Sequence, residues 1–355
     1  MEEVASSVGL GWSITSAGAV SRAIRGRADD TYAGSYIGYI HLPDFDPATV
    51  TYDSAFNYAK NKHDGQPDIY SVNVAGISAQ FYINKSKKVV FVEKTDLKIE
   101  PVFSGYEIIA FELKDTNGRL YYFNVKEKSK CTPISDSSSE VDEFSTSSWY
   151  LTKIVSEYGK EIVSFTYQSG DEFETKQYLR STYQHIDYNF GDEQMAFDES
   201  ADSWSTLLNK KVTLQKIQFA GGEIDFIVSD SNRYDLSGDK YLKQVVVKNL
   251  IGDTVKNFVF YHSYFGPTGT IHQGQGAPTY GYGGEYRLKL DSLKDRSRTQ
   301  NSLNYGFVYD TSHFLPDRLW TFATDHWGFY NGKTTNTGWE GKQGKILYRQ
   351  SCTAT

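Results

Sequence analysis

The chain has 355 residues, enough for one large domain or two ordinary ones, and 15% of the residues are aromatic, which favours strands over helices. The net charge is −7 with both signs mixed along the chain, which argues against nucleic acid as a main partner. No stretch approaches the ~20 apolar residues of a membrane span, and the acidic start MEEVASSVGLGW does not have the pattern of a signal peptide.

The segment VGLGWSITSAGAVSR (8–22) is rich in glycine and raises the question of a nucleotide site. It lacks the Gly-Lys-Ser/Thr of a phosphate-binding loop, and Ile14 stands where a dinucleotide fingerprint needs its third glycine. Gly9, Gly11 and Gly18 are instead expected to allow turns or close backbone approach at a strand corner. Trp12 follows Gly-Leu-Gly and is predicted to be a buried, structural residue.

Residues 51–62 carry the clearest helical pattern, because their apolar residues recur at i, i+3, i+4 and i+7. Thr51 is the expected N-cap, and Gly65 follows the expected end of the helix within a few residues. We therefore predict one short helix near 51–62 in a chain that is otherwise mainly β.

After this helix the apolar period changes to two, which predicts antiparallel strands with one packed face and one solvated face. The stretch 76–94 is predicted to form two strands around a polar turn. The stretch 108–123 contains Asn117-Gly118, a strong hairpin signal, and is predicted to turn there through a two-residue type I′ loop.

A polar, serine-rich stretch at 132–147 is predicted to be a linker or exposed loop, and we place a domain boundary there. On this basis 1–131 form an N-terminal β region, and 148–355 form a second region of repeated hairpins that is incomplete at its C-terminus. Each repeat must stack on its neighbours, because a single hairpin cannot bury its own face. The repeats are 149–167, 212–228, 240–265 and 286–310, and the acidic insertion 169–206 stays unassigned.

The histidines and cysteines give no local support for a metal site or a nucleophile. The seven histidines form no His-x-His or His-x-x-x-His pair. His326 follows Asp325, but adjacent residues on a strand point to opposite faces, so a structural role is favoured over a catalytic pair. Cys131 and Cys352 form no Cys-x-x-Cys pair; reduced thiols are the default, and a long-range disulfide stays open.

Two acidic stretches could in principle bind calcium, but neither follows the spacing of an EF-hand loop. We interpret both as solvated turns, and no pair of carboxylates stands out as a glycosidase pair. The sequence therefore indicates no catalytic, cofactor-binding or metal-binding residue. The candidate ligands are Asp44 and Asp46 in the first stretch, and Asp230, Asn232, Asp235 and Asp239 in the second.

Aromatic residues on alternating strand positions are predicted to form the core and not a sugar-binding platform, which would need exposed coplanar rings. They stand beside leucine, isoleucine and valine, as core residues do. The residues in question are Phe111, Tyr122, Phe165, Tyr167, Phe258 and Phe260.

Five motifs in this order resemble Bacteroidetes-type RHS/YD-repeat proteins, and the GLGW core is similar to that of the SpvB/toxin-complex B group. They cover nearly the whole chain. The motifs are VGLGWSITSAGAVSR with the following Arg25-Gly26 and Asp29-Asp30, DGQPDIYSVNVAGISAQFYI (64–83), WYLTKI (149–154), YRLKLDSL (286–293) and DHWGFYNG (325–332).

The resemblance implies a secreted or surface-exposed protein in which β-hairpins wind into a shell around a C-terminal effector, often a toxin. It implies that this region is a non-catalytic scaffold, and it supplies no catalytic residues. We expect the chain to be a fragment whose partners are a downstream YD-repeat array and the effector. The alternatives from other classes are a carbohydrate-binding surface module and a β-rich hydrolase.

The repeated hairpins predict an unfinished sheet edge at 342–350, because they stack by adding strands side by side and no proline closes this end. Such an edge recruits further strands. The isolated protein is therefore expected to self-associate through it.

Overall fold

The structure is a computed structural model, and it describes residues 4–15, 17–44, 46, 48–60, 62–134, 144–186, 196–266, 269–271, 286–297, 302–310, 312 and 315. These residues form 18 strands, one α-helix and a short 3₁₀-helix at Tyr39–His41. The elements of the first half are β1 (Ala19–Ala23), β2 (Tyr32–Ala33), β3 (Tyr36–Ile37), α1 (Tyr52–Ala59), β4 (Ile69–Val74), β5 (Ile77–Ile83), β6 (Val89–Phe91), β7 (Lys98–Ser104), β8 (Glu107–Lys114) and β9 (Leu120–Ile134). Those of the second half are β10 (Ser145–Val155), β11 (Glu161–Ile186), β12 (Ala196–Phe219), β13 (Gly222–Val228), β14 (Leu242–Asn249), β15 (Thr254–Gly266), β16 (Gly269–Ile271), β17 (Arg287–Asp295) and β18 (Leu303–Gly306).

Sixteen of the strands form one antiparallel sheet in the order β18-β17-β15-β14-β13-β12-β11-β10-β1-β4-β5-β6, with β7, β8, β9 and β16 attached beside this path. The predicted mainly β fold of consecutive hairpins with one short helix is confirmed. One feature was not predicted: β9 pairs with β10 and with β12, while β10 pairs with β11 and β11 with β12. These four strands therefore close a ring within the sheet.

The helix and its cap follow the predicted pattern. The Thr51 side chain accepts a hydrogen bond from the Ser54 N–H at 3.2 Å, as an N-cap does. None of the helical residues is buried, and Tyr52 is 82% exposed. The apolar stripe of α1 therefore contributes little to the core.

The hairpin predicted at 108–123 is confirmed, because β8 pairs antiparallel with β9 as far as Lys114↔Leu120. The predicted two-residue loop is wrong. The Asp115 N–H donates to the Arg119 carbonyl at 3.0 Å, and only Gly118 in this loop has a positive φ, of 84°. A three-residue loop with glycine in its left-handed position matches the twist of the strands equally well, so Asn117 keeps a negative φ.

The first core cluster lies between the N-terminal strands and β10. Trp149 is fully buried, and its Nε1–H donates to the Ile108 carbonyl at 3.2 Å. Phe111 packs edge-on against Trp149 with the ring centroids 5.0 Å apart, and Tyr70 and Phe81 are stacked beside them. This cluster includes residues from β1 to β10, so it joins the first half of the chain to the start of the second.

A second cluster forms where residues 5–10, which we call the N-terminal strap, cross the far end of the sheet. The Leu10 N–H donates to the Leu288 carbonyl at 2.8 Å, and the Leu242 N–H donates to the Ser7 carbonyl at 2.8 Å. The start of the chain is therefore attached to strands more than 200 residues away in sequence.

Gly9 and Gly18 act as predicted, by close backbone approach, whereas Gly11 has open space around it and lies in a turn with a φ of 74°. A Cβ on Gly9 would lie 3.0 Å from the backbone nitrogen of Leu290, and Gly9 has a φ of 129°. A Cβ on Gly18 would overlap with the side chain of Val74 on β4. The strap can therefore lie against β17, and the residue before β1 can lie against β4, only because both positions lack a side chain.

Trp12 is not buried, and the prediction for it is wrong. The residue is 38% exposed, with its ring 4.5 Å from that of Phe307 and its Nε1–H donating to the Tyr309 hydroxyl at 3.0 Å. It lies just past the strap, beside the residues that follow the edge strand β18. Phe307 and Tyr309 contact the Trp12 ring on one side, and the ring is therefore only partly covered.

The aromatic residues assigned to the core divide in two. Phe111 is fully buried, as predicted. Phe258 and Phe260 are only half-buried, since they lie on a part of the sheet that is a single layer among the described residues. Tyr122, Phe165 and Tyr167 are half-buried as well.

The stretch predicted as a linker, 132–147, is described only in part. β9 extends to Ile134, β10 begins at Ser145, and the two strands pair with each other. The division of the chain into two regions stays a prediction. Asp325, His326, Cys352 and the edge predicted at 342–350 lie outside the described residues.

Candidate functional site

Two acidic pairs from distant parts of the chain meet at one end of β1. Asp29 and Asp30 follow β1, whereas Asp64 and Asp68 precede β4. Because β1 pairs antiparallel with β4, the loop that leaves β1 lies next to the loop that enters β4. We call these four residues together with Arg22 the Arg22 cluster.

The carboxylates of this cluster bind backbone amides. The Asp29 N–H donates to Asp68 Oδ2 at 2.9 Å, and the Asp68 N–H donates to Asp29 Oδ1 at 3.0 Å. Asp68 Oδ1 accepts from the Arg25 N–H at 2.9 Å, and Asp64 Oδ2 accepts from the Arg27 N–H at 3.1 Å. The side chains thus satisfy loop amides that have no strand partner, in the way that Asp fixes turns.

Arg22 extends the cluster to two further strands. Its side chain is 1% exposed, and its Nη1–H donates to Asp30 Oδ1 at 2.6 Å. Its Nε–H donates to the Thr146 carbonyl at 2.8 Å, and its guanidinium carbon lies 5.1 Å from the centroid of the Trp149 ring. Asp30 Oδ2 in turn accepts from the Ile108 N–H at 2.9 Å. One ion pair therefore holds β1, β8 and β10 together.

The electrostatics of the cluster follow from its burial. Desolvation raises the pKa of Asp29 and of Asp68, and the nearby charge of Asp68 raises that of Asp29 further. Desolvation also raises the pKa of Asp64. Burial opposes ionisation of Asp30 too, but the Arg22 guanidinium outweighs it and lowers the pKa of that carboxyl. The Asp29–Asp68 pair therefore retains a proton to a higher pH than isolated aspartates do.

The cluster also has the chemistry of a hard cation site. One oxygen from each of Asp29, Asp64 and Asp68 lies within 4.8 Å of the others, and all three residues are buried. Carboxylate oxygens are the ligands that Ca²⁺ prefers. Each of these carboxylates already accepts backbone N–H groups, however. The geometry therefore favours the joining of two loops over the binding of an ion.

A second buried ionic cluster, which we call the Arg233 cluster, lies below the N-terminal strap. The Arg233 guanidinium bonds both carboxylate oxygens of Asp235, at 2.9 and 2.7 Å, and Asp239 Oδ2 at 3.0 Å. It also donates to the Ala5 carbonyl at 2.9 Å and to the Ser6 carbonyl at 3.1 Å. All five guanidinium N–H groups are thus used in attaching the strap.

The solvated turn predicted for Asp235 and Asp239 is therefore wrong. Their side chains are 4% and 7% exposed, because the loop before β14 folds under the strap. Asp235 Oδ2 also accepts from the Leu288 N–H at 3.0 Å, which adds β17 to the cluster. In the sequence Arg233 stands between Asp230 and Asp235, which signals an ion pair but does not tell which of these two acids is buried.

The other acidic residues considered for calcium are solvated, as predicted. The side chains of Asp44 and Asp230 are 95% and 92% exposed, and Asn232 and Asp46 are exposed as well. Asp46 Oδ1 accepts from the Ala48 N–H at 2.9 Å, a local turn contact.

A small cavity of about 130 Å³ lies between β11, β12 and the loop of the Arg233 cluster. Lys211 and Asp239 both line the cavity, and their charges are paired because Lys211 Nζ is 3.0 Å from Asp239 Oδ1. Burial raises the pKa of the nearby Glu127, which accepts from the Tyr150 hydroxyl at 3.3 Å. Ligand pockets commonly enclose ~300–1,000 Å³, so this cavity suits water or a very small polar solute. Its lining includes Gln168, Ser169, Lys211, Thr213, Asp239 and Lys240.

Tyr32 and Tyr106 form an exposed aromatic pair next to His41. Tyr32 and Tyr106 are 49% and 52% exposed, but they stack on each other with centroids 4.0 Å apart and planes inclined by 11°. His41 meets both rings edge-on. Each ring therefore covers a face of the other, which is unlike the side-by-side rings that bind a sugar.

No protein-family model, curated protein or solved structure matches the chain. Within the described part of the chain, no helix has the length and apolar character needed to cross a membrane.

Proposed function

We propose that this chain is a non-catalytic scaffold, and that its buried ionic groups serve to join segments that are distant in sequence. The observation that carries the proposal is the use of the Arg22 and Arg233 clusters. Their carboxylates accept hydrogen bonds from backbone N–H groups or from the guanidinium. Their guanidinium groups donate hydrogen bonds to backbone carbonyls of other elements. A catalytic acid or base needs a face open to substrate, and these groups are closed in by their own chain.

The resemblance to RHS/YD-repeat proteins gives this scaffold its proposed context. The chain would be the N-terminal part of a secreted or surface-exposed shell that encloses or delivers a C-terminal effector, or that mediates cell contact. The order of the five motifs supports this, as does the sheet of consecutive hairpins. Its partners would be a YD-repeat array and the effector.

Activity assays test the non-catalytic role. We expect no turnover of glycoside, ester, peptide or phosphodiester substrates beyond that of buffer. Turnover that is lost in Asp29→Asn or in Asp239→Asn, while circular dichroism shows that the variant is folded, would refute the proposal. A carbohydrate array tests the binding-module alternative, with Tyr106→Ala as the variant that should abolish a true sugar signal.

Cell fractionation tests the proposed context separately. An antibody raised against the chain should detect it in the extracellular or surface fraction, and external protease should remove the signal. Detection in the cytosol alone, protected from protease, would contradict the shell assignment and would leave the non-catalytic role standing.

A further inference from the structure

The second half of the sheet has two faces of different character. Side chains alternate along a strand and directly paired residues share a face, so the strand register assigns each residue to one side. Phe226, Val245 and Phe258 form one row across three strands, and Phe260 forms the next row with Leu293 and Tyr305. We call this side the apolar face; it comprises Ile224, Phe226, Val245, Val247, Phe258, Phe260, Leu293, Leu303 and Tyr305.

The opposite side is mainly polar, although Val246 and Val259 lie on it, and its charges are paired with each other. Lys216 contacts Glu223 at 2.8 Å and Asp225 at 3.3 Å, and Lys248 contacts the same two carboxylates at 3.3 and 2.6 Å. Asn257 and its neighbour Gln244 bond to each other at 2.7 Å. Water is therefore a suitable environment for this side, whereas it is a poor one for the apolar face.

The apolar face continues along β15 and β17 to Tyr264 and Leu288, and the described part of the chain covers it only at that end. Tyr264 on β15 and Leu288 on β17 are fully buried beneath the N-terminal strap. Farther along the same two strands, Phe258, Phe260 and Leu293 are only half-buried. On the edge strand the exposure rises to 52% at Tyr305 and 57% at Leu303. Among the described residues, nothing covers this half of the face.

The charge on the apolar face fits contact with an identical surface. Lys256 and Asp295 lie on it and pair with each other at 3.3 Å, and Lys243 at its end pairs with Asp230 at 2.9 Å. The face is thus neutral although the chain carries −7. Two copies can approach there without like-charge repulsion, and a two-fold axis makes one patch its own complement.

The size of the face suits a weak contact. Five strands ~4.8 Å apart, over about five residues of ~3.4 Å each, give an area of roughly 400 Å² per copy. Two copies would bury roughly 800 Å², which is below the ~1,000 Å² of a stable specific interface and corresponds to a weak, concentration-dependent dimer.

We propose that the open half of the apolar face binds the same face of a second copy of this chain, as two sheets pack in a β-sandwich. This differs from pairing through an unfinished strand edge, because the contact uses side chains on one face and not the backbone of an edge strand. It does not depend on the proposed shell function.

Sedimentation velocity over a wide concentration range, with the full chain, tests the proposal through two matched pairs of variants. Phe258→Glu and Tyr305→Glu place a charge on the apolar face, and each should weaken dimerisation at least tenfold, roughly the effect of losing a central aromatic contact. Asn257→Glu and Asn304→Glu add the same charge at the adjacent position on the opposite face, and each should leave the dimer within about twofold of the wild type.

Tyr305→Glu protects the test against misfolding, because the side chain it replaces is half exposed on an edge strand. A wild-type protein that is monomeric at every concentration would overturn the proposal. Equal weakening by Tyr305→Glu and Asn304→Glu would also overturn it, since that result points to pairing through the strand edge.

Discussion

Replacement of Arg233 by methionine should strongly destabilise the protein and release its N-terminal strap. Methionine fills a similar volume but donates no hydrogen bond. The change removes every contact that the guanidinium makes, to Asp235, to Asp239 and to the carbonyls of Ala5 and Ser6. Asp235 would keep the Leu288 N–H and Asp239 would keep Lys211. Both carboxylates would otherwise stay buried without their principal counter-charge.

The expected magnitude follows from this burial. Breaking a buried ion pair by removing one partner costs about 3–5 kcal/mol, because the remaining charge stays desolvated. A domain typically has ~5–15 kcal/mol of stability, so Arg233→Met should remove a large part of it. Arg233→Lys should cost less, since an ammonium keeps the charge but cannot bond Asp235 in a bidentate manner. Lys243→Met at the start of β14 breaks only the exposed pair with Asp230 and should leave the unfolding midpoint unchanged.

Urea unfolding measures the loss of stability, and hydrogen exchange of residues 4–12 measures release of the strap. We expect these amides to lose protection in Arg233→Met and to keep it in Lys243→Met. A change of less than about 1 kcal/mol in Arg233→Met, with unchanged exchange in the strap, would refute the view that this cluster holds the N-terminal strap on the sheet.

Three further predictions concern single residues. Gly118→Val should cost about 1–2 kcal/mol or more in urea unfolding, because Gly118 has a φ of 84° that a β-branched residue disfavours; equal stability to the wild type would contradict the loop assignment. Trp149→Ala should lower the free energy of unfolding by about 3–5 kcal/mol, as for other buried aromatic residues, and Trp12→Ala by clearly less, because Trp12 is 38% exposed. A larger loss in Trp12→Ala than in Trp149→Ala, measured by urea unfolding, would contradict the assignment of the core. Burial lowers the pKa of His262 from 6.5 to about 4, so the stability that the neutral imidazole contributes is complete above pH 6.5 and is lost as the pH falls toward 4. His262→Gln should therefore reduce the dependence of the urea midpoint on pH in this range, and an unchanged dependence would contradict the assignment to His262.

The local features of the fold could be predicted from the sequence because they depend on neighbouring residues. The cap at Thr51, the hairpin around Gly118 and the strands on either side of Gly159 follow from turn chemistry and apolar period. The loop at Gly118 shows the limit of such inference. Asn117-Gly118 is compatible with two hairpin loops, and the choice between them depends on how β8 and β9 twist in the complete sheet.

The sequence by itself determined that the chain alternates between solvated and apolar positions, where its hairpins turn, and that the glycines of 8–22 allow turns or close backbone approach. Only the tertiary structure decided which charges are buried. Asp235 and Asp29 have no local feature that distinguishes them from the solvated Asp230, since their burial requires partners far away in sequence. Tertiary structure likewise decided that Phe258 is half-buried while Phe111 is fully buried. Alternation states which face a side chain takes, but another layer of the protein must arrive to remove that face from water.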